Sequence, residues 1–378
     1  MKIFHLSDLH LGKRVNGFSM LENQEDILVK ILAAIDEEQP QAVFIAGDVY
    51  DKSLPPAEAV TLFSDFLVKL AARKLQVFII SGNHDSAERL SFASPLIDLS
   101  GIHFAPVYTG AVKPFVLTDE HGPLNVYMLP FVKPLHVRTI FGDDTITTYT
   151  DALSLAVEKM NVDTSQRNVL IAHQFVTGAA TCDSEEISVG GTENVDVSVF
   201  DDFDYVALGH IHGPQNVGRD TVRYCGTPLK YSFSEAGHKK SITVAECGEK
   251  STVDVRTIPL IPRYDMRELT GTYNEITLKE NYEDTNTHDY VHITLTDEED
   301  IPGVVDKLRH IYENLMRVDY DNTRTRTSRT IQEIQDIEKK SEIDLFAELF
   351  ESQNNMPLSD EQRTLVTELF ETLKEDAR

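Results

Sequence analysis

Apolar and polar positions along the first part of the chain follow two alternating spacings. Short apolar runs at Lys2–Leu6, Ala42–Ala46 and Gln76–Ser81 predict buried β-strands. Between them, Glu22–Glu37 and Ala57–Ala72 repeat apolar residues every three or four positions, which is typical of amphipathic helices. Strands that alternate with helices indicate an α/β sheet covered by helices.

The pattern continues with more strands and then changes. The later strand candidates are Asn125–Leu129, Asn168–Ala172, Tyr205–Leu208, Ser241–Ala245 and Thr252–Ile258. Pro259 and Pro262 then favour an extended linker. Beyond the linker, a strand at Tyr290–Leu295 and a helix at Pro302–Leu315 predict a smaller α/β unit. We therefore expect three parts, residues 1–262, 263–340 and 341–378.

The last part of the chain predicts two short amphipathic helices. Their apolar positions are Ile343, Phe346, Leu349 and Phe350 in the first helix, and Leu365, Val366, Leu369, Phe370 and Leu373 in the second. Ser359 and Gln362 form a capping-box pattern at the start of the second helix. Helices this short are not stable alone in water. Their apolar faces must dock either onto the protein's own core or onto a partner.

Composition narrows the class of protein. The chain has 378 residues and a formal net charge of −27, whereas a chain that binds nucleic acid by itself usually has a basic surface. The charge therefore argues against a free-standing DNA-binding protein. No apolar run is long enough for a transmembrane helix, and the N-terminus lacks a secretory pattern. The three widely spaced cysteines do not form a disulfide framework, so we expect a cytoplasmic protein.

Five short motifs rich in Asp, Asn and His lie at or just after predicted strands. They are Asp8-Leu9-His10, Gly47-Asp48-Val49-Tyr50-Asp51, Gly82-Asn83-His84-Asp85, Ala172-His173-Gln174 and Gly209-His210-Ile211-His212. Ligand sites of α/β sheets form at the carboxyl ends of the strands, so these motifs are expected to meet at one edge. Mixed oxygen and nitrogen donors suit manganese, iron or zinc better than calcium or magnesium. Asp48 could place one oxygen on each of two ions, a pair that can activate water against a phosphoryl group.

Each motif alone has a simpler interpretation. An Asp-x-His motif is usually structural, and Gly-Asn-His-Asp could be a turn. His173 follows an apolar run and could be a hydrogen-bonded core histidine. What favours a dinuclear metal site is the order of all five motifs, each at the end of a strand.

This order resembles that of the calcineurin-like metallophosphoesterase superfamily. Four longer stretches, 8–13, 173–176, 203–210 and 226–235, resemble the nuclease subunits of SbcC–SbcD-type complexes, a family of double-strand-break repair nucleases. The resemblance covers nearly the whole chain. It implies an α/β fold in which a β-sandwich is flanked by helices (αββα), a small capping domain that binds DNA, and a C-terminal helix pair.

The resemblance also implies a role for each motif residue. The family's two divalent ions, most typically Mn²⁺, would be held by Asp8, His10, Asp48 and His212 on one side and by Asp48, Asn83, His173 and His210 on the other. His84 would assist the leaving oxygen as a catalytic acid, or it would only position Asn83. Asp51 and Asp85 would be outer carboxylates that orient the ligands.

The implied reaction is hydrolysis of DNA phosphodiesters to 3′-hydroxyl and 5′-phosphate ends, as an ATP-dependent double-strand exonuclease and a single-strand or hairpin endonuclease in DNA repair and recombination. An SbcC-type, SMC-like ATPase would share the DNA binding, which answers the objection from charge. The family forms a homodimer, here within a nucleoid-associated heterotetramer. Candidate DNA contacts are Lys13, Arg14, Lys52 and Lys230. Candidate contacts to the ATPase are Phe346, Leu349, Phe350, Leu369, Phe370 and Leu373.

Two other functions are compatible with parts of the sequence. A stand-alone metallophosphatase or cyclic-nucleotide phosphodiesterase would use the same metals, and the acidic charge favours it slightly. The capping domain and the terminal helices argue against it, because an enzyme for small substrates needs no docking segment. A non-catalytic scaffold is disfavoured by the complete set of ligand residues.

Overall fold

Two six-stranded sheets form the centre of the protein. The computed structural model describes residues 1–90, 98–185 and 194–323, with single positions between 325 and 366. The first sheet contains, in spatial order, Val253–Pro259 (β14), Ser241–Cys247 (β13), Lys2–Leu6 (β1), Ala42–Ala46 (β4), Gln76–Ile80 (β5) and Ile102–Ala105 (β6). The second contains Gln215–Val217 (β11), Arg219–Tyr224 (β12), Tyr205–Gly209 (β10), Arg167–His173 (β9), Gly122–Leu129 (β8) and Phe115–Asp119 (β7).

Helices cover the outer faces of both sheets. Leu21–Glu38 (α1) and Ala57–Ala72 (α2) pack on the first sheet, and a short helix, Ala87–Leu90 (α3), follows β5. Pro134–Phe141 (α4) and Tyr149–Glu158 (α5) pack on the second sheet.

Alternation along the strands divides the apolar residues between three layers of core. Phe4 faces the helices on the first sheet, while its neighbour Ile3 faces the second sheet. Phe44, Ile171 and Tyr205 fill the same space between the sheets. The four-layer αββα order implied by the resemblance is confirmed.

A separate three-stranded parallel sheet follows the linker. Its strands are Met266–Gly271 (β15), Tyr290–Leu295 (β16) and Leu315–Tyr320 (β17), and its helices are Tyr273–Thr277 (α6), Lys279–Tyr282 (α7) and Val304–Arg309 (α8). The prediction of a helix over Pro302–Leu315 was wrong in its length. Gly303 has a left-handed backbone (φ 64°) just before α8, and Leu315 already belongs to β17.

This small sheet contacts the larger body at several points. A hairpin of Arg14–Val15 (β2) and Phe18–Ser19 (β3) places the Phe18 ring 6.1 Å from that of Tyr290. Lys230 forms a 2.9 Å ion pair with Asp265 just before β15. Among the described residues, no helix is long and apolar enough to cross a bilayer.

Candidate metal centre

The carboxyl ends of five strands bring all seven predicted ligands together. In the first sheet, β1, β4 and β5 run parallel. In the second, β9 and β10 run parallel. The ligands follow these strands or end them: Asp8 and His10 after β1, Asp48 after β4, Asn83 after β5, His173 at the end of β9, and His210 and His212 after β10.

One group, which we call the His212 half, consists of Asp8, His10 and His212. These three side chains each offer a ligand atom within 4.8 Å of the others. The Nε2 atoms of His10 and His212 lie 3.1 Å apart. Asp8 also accepts a 3.0 Å hydrogen bond from the main-chain N–H of His210.

The other group, the His173 half, consists of Asn83, His173 and His210. The Oδ1 atom of Asn83 lies 3.0 Å from Nε2 of His173 and 3.0 Å from Nδ1 of His210. Asp48 lies between the halves, because its Oδ2 is 3.3 Å from Nε2 of His173 and 3.8 Å from Nε2 of His10.

The chain adopts an uncommon backbone conformation at four of these residues. Asp8 (φ 52°), His10 (φ 44°), Asp48 (φ 49°) and His210 (φ 102°) all have positive φ. Positive φ is unfavourable for residues with a Cβ, and such strain concentrates at functional sites. The strand ends are therefore bent to aim side chains inward.

The glycine of the His210 motif provides space for the opposite sheet. A Cβ on Gly209 would lie 1.9 Å from the carbonyl oxygen of Ala46. That same oxygen accepts a 2.8 Å hydrogen bond from Nδ1 of His173. The His173 half is therefore supported by main chain at close range.

Burial controls the electrostatics of the centre. It raises the pKa of Asp8 to about 7, and the neighbouring Asp48 carboxylate adds to that rise. It lowers the pKa values of His10 and His212 well below the ordinary range. Burial alone would also lower the pKa of His173, but the Asp48 carboxylate raises it to about 9. Burial alone would also raise the pKa of Asp48, but His173, His10 and His84 hold it below its usual range.

The donor set fits a bound cation. The buried Nδ1 of His10 has no hydrogen-bond partner among the described residues. Two imidazole nitrogens face each other between His10 and His212, and Asp8 and Asp48 are at most 1% exposed. Buried charge is costly, and a divalent ion held by histidine, carboxylate and amide ligands would neutralise the charge of these carboxylates.

His84, Asp51 and Asp85 lie around this ligand set. His84 is half-buried, with Nε2 3.9 Å from Oδ2 of Asp48 and Nδ1 3.0 Å from the carbonyl oxygen of Asp51. The Asp51 carboxylate lies 3.8 Å from Nδ1 of His10. Asp85 instead accepts hydrogen bonds from the main-chain N–H groups of Val49, Tyr50 and Gly82, so it supports the turns that carry the ligands.

The four basic residues proposed for DNA differ in their surroundings. Lys13 is paired with Asp51 at 2.8 Å, and Lys230 is only 10% exposed and paired with Asp265. Arg14 and Lys52 are exposed. Lys230 therefore has the geometry of a contact between parts of the protein.

The candidate partner-binding residues are only partly described. Phe346 and Phe350 are helical and half-buried. Leu349, Leu369, Phe370 and Leu373 lie outside the described residues. The predicted capping box is confirmed, because Ser359 N donates to Gln362 Oε1 at 2.9 Å and Gln362 N donates to Ser359 Oγ at 3.2 Å.

Three polar residues next to His212 had no predicted role. Glu185 Oε1 accepts a 2.6 Å hydrogen bond from the main-chain N–H of His212. Ser184 Oγ lies 2.5 Å from Nδ1 of His212 and 2.6 Å from Oε1 of Glu235. Glu235 ends the 226–235 stretch that carried the family resemblance, which was the one signal available in the sequence.

Comparison with known proteins agrees with the motifs. A model of the calcineurin-like phosphoesterase family matches residues 1–214, and one described as the Type 5 capsule protein repressor C-terminal domain matches residues 262–354. The SbcD subunit of nuclease SbcCD from Staphylococcus epidermidis is 34% identical over 320 residues, which is 84% of each chain.

Similar solved structures include the protein TT1561 of Thermus thermophilus and a dimetal phosphatase from Danio rerio. The first is 11% identical, with a TM-score of 0.38 over 68% of this chain and 98% of that one. The second is 13% identical, with a TM-score of 0.37 over 69% and 99%. From the family model and the Staphylococcus relative, the chain belongs to the calcineurin-like phosphoesterases, as a metal-dependent hydrolase of the family that includes the SbcD subunit of nuclease SbcCD.

Proposed function

We propose that this chain is the nuclease subunit of an SbcC–SbcD-type complex and hydrolyses DNA phosphodiesters with two divalent ions, preferably Mn²⁺. The observation that carries the proposal is the convergence of six Asp, Asn and His side chains around Asp48. The similarity to the SbcD subunit of nuclease SbcCD over 84% of the chain supplies the substrate class.

The two halves of the centre would hold one ion each. Asp8, His10 and His212 would bind one, Asn83, His173 and His210 the other, and Asp48 would contact both. When bound, the ions would neutralise charge on the phosphoryl group and promote ionisation of the attacking water. The chain's own contribution is to hold the donors in fixed positions, which it does by burial and by the bent strand ends.

His84 is the proposed acid for the leaving 3′-oxygen. Its Nδ1–H donates to the Asp51 carbonyl oxygen, so Nε2 is the atom directed toward Asp48, where the phosphate would react. In the imidazolium form, Nε2 carries the proton that the leaving oxygen needs. Asp51 therefore positions the ring through its main chain as well as lying near His10.

DNA binding would be shared between this chain and an SbcC-type ATPase. Residues 263–340 would cap the site, residues 341–378 would dock on the ATPase, and two copies would form a homodimer in a nucleoid-associated cytoplasmic complex. Exposed Arg14 and Lys52 remain candidate phosphate contacts. ATP-dependent exonuclease and hairpin endonuclease activities, in repair and recombination, belong to the same proposal.

The test is cleavage of end-labelled linear and hairpin duplexes with Mn²⁺, with and without the ATPase and ATP. We expect cleavage of duplex ends to need the partner and ATP, and His84→Ala to reduce it about 10²–10⁴-fold. Hydrolysis of small phosphodiesters without cleavage of any DNA would instead favour a stand-alone phosphatase or cyclic-nucleotide phosphodiesterase. Full cleavage of blocked ends with an ATPase-dead partner would contradict the proposed coupling to ATP hydrolysis.

A further inference from the structure

The 226–235 stretch folds back against the His212 half of the metal centre. Ser184, Glu235 and Lys240 form a continuous set of contacts there, which we call the His212 support chain. Ser184 Oγ lies 2.5 Å from His212 Nδ1 and 2.6 Å from Glu235 Oε1. Lys240 Nζ lies 2.5 Å from Glu235 Oε2. Glu235 and Lys240 are 0% and 4% exposed.

The ammonium of Lys240 is fully used in this arrangement. Its three hydrogens are matched by three acceptors: Glu235 Oε2, Thr227 Oγ1 at 2.7 Å and the His212 carbonyl oxygen at 2.8 Å. Glu235 Oε1 accepts further hydrogen bonds from Tyr231 N and Ser232 Oγ, both at 3.1 Å. These neighbours fix the position of the buried Lys240–Glu235 ion pair. Replacing or rotating either side chain would break hydrogen bonds and lower the stability of the protein.

Counting protons along the support chain determines the tautomer of His212. A carboxylate only accepts, so the single hydroxyl hydrogen of Ser184 goes to Glu235. Ser184 Oγ must then accept from His212, which requires a hydrogen on Nδ1. In a neutral imidazole this leaves a lone pair on Nε2, the atom that faces His10 Nε2 at 3.1 Å.

The charge state of Glu235 agrees with this count. Burial alone would raise its pKa, but the Lys240 ammonium lowers it to about 2. The group therefore remains a carboxylate at neutral pH.

We propose that Ser184 and Glu235 are positioning residues that fix the His212 ring so that its Nε2 lone pair points at the metal, with Lys240 as their anchor. The inference rests on the proposed metal centre. It assigns a role to the end of the 226–235 stretch, which contributes no ligand of its own. A hydrogen bond donated by the remote ring N–H of a ligating histidine raises the basicity of the ligand nitrogen and fixes the orientation of the ring.

The same contacts argue against a separate metal site beside the centre. Cys182, His212 and Glu235 each offer a donor atom within 4.8 Å of the others. Nδ1 of His212 is committed to Ser184, however, and Glu235 to Lys240. Burial and the Glu235 carboxylate raise the pKa of the Cys182 thiol to about 12, so it stays protonated.

The experiment titrates metal-free protein with Mn²⁺ by isothermal titration calorimetry. Ser184→Ala keeps the Lys240–Glu235 pair. It should lower the affinity for one of the two ions about 10–100-fold, while the other ion binds as in the wild type. Ser184→Thr retains the hydroxyl and should restore binding. Ser165→Ala, on an exposed turn away from the centre, is the matched control. Wild-type affinity for both ions in Ser184→Ala would overturn the inference.

A second measurement separates this inference from the metal centre itself. ¹⁵N chemical shifts of metal-free, histidine-labelled protein report the His212 tautomer, with His212→Gln for assignment. We expect an Nδ1–H signal that is lost from Glu235→Gln if its fold is retained, and altered in Ser184→Ala. Wild-type protein that binds no Mn²⁺ but keeps this tautomer would refute the metal centre alone. An Nε2–H tautomer in the wild type would refute the support chain.

Discussion

The two halves of the metal centre contain similar ligands but are supported differently. His173 donates from Nδ1 directly to a main-chain oxygen of the opposite sheet, that of Ala46. His212 contacts a side-chain hydroxyl, Ser184, which in turn depends on the buried Glu235. His173 is thus oriented by the main chain of the fold, whereas His212 is oriented by the side chains of the His212 support chain.

This difference indicates which changes each half tolerates. Side-chain substitutions cannot remove the Ala46 carbonyl, so this support of the His173 ring should be disturbed only when the two sheets are moved apart. The His212 half should lose its orientation through single polar substitutions. Asp48 lies between the halves and should affect both, whereas His84 contributes no ligand and should affect cleavage alone.

The largest effect is expected for Asp48→Asn. Asp48 Oδ2 lies within 4 Å of His10, His84 and His173, so both ions depend on it. Losing the metals' contribution of several kcal/mol should reduce DNA cleavage about 10³-fold or more. Metal content by mass spectrometry should fall for both ions. Retention of one tightly bound ion would show that the halves are independent.

His84→Ala should come next and should act differently. Its ring contributes no ligand in this account, so two Mn²⁺ ions should still bind. Cleavage should fall about 10²–10⁴-fold because proton transfer to the leaving oxygen is lost. Calorimetry and single-turnover cleavage on the same sample check both parts. A variant that has also lost an ion would make His84 a supporting residue for Asn83.

Gly209→Ala should selectively damage the His173 half. Its Cβ would approach the Ala46 carbonyl oxygen to 1.9 Å, which forces the sheets apart at the point where His173 is held. We expect a loss of about 1–3 kcal/mol in unfolding free energy, as for overpacked cores, and weaker binding of one ion. Gly237→Ala, with open space around its Cβ, is the control. Unchanged metal binding would contradict main-chain support of this half.

The smallest effect is expected for Lys230→Met. Its ammonium donates to Asp265 and to the Ala236 carbonyl oxygen, so the cost should be about 1 kcal/mol of stability. The salt dependence of DNA binding should not change. Exposed Lys52→Met is the comparison, and it should reduce that slope by about one if Lys52 meets a phosphate.

The parts of the molecule that were predictable from sequence depend on local signals. Apolar runs identified Ala42–Ala46 and Ala57–Ala72 with their observed limits. The strand-end motifs contain every residue of both halves, and the family resemblance implied how those residues are divided between two ions. The helix at Pro302–Leu315 was overextended because apolar spacing does not distinguish the end of α8 from the start of β17.

The His212 support chain could not be predicted from local sequence signals, for a physical reason. Ser184, His212 and Glu235 meet only when the fold brings three segments together, and no spacing along the chain reports that. The pairing of Lys230, a candidate DNA contact, with Asp265 is equally non-local, and no spacing along the chain reports it.

The most direct test of the account is anomalous diffraction at the manganese edge from crystals grown with Mn²⁺. We predict two peaks on either side of Asp48, one contacted by His10 and His212 and the other by His173 and His210. In Ser184→Ala crystals, only the peak beside His212 should lose occupancy. A single peak, or one centred on Cys182 and Glu235, would contradict the two-ion centre from which the nuclease function is argued.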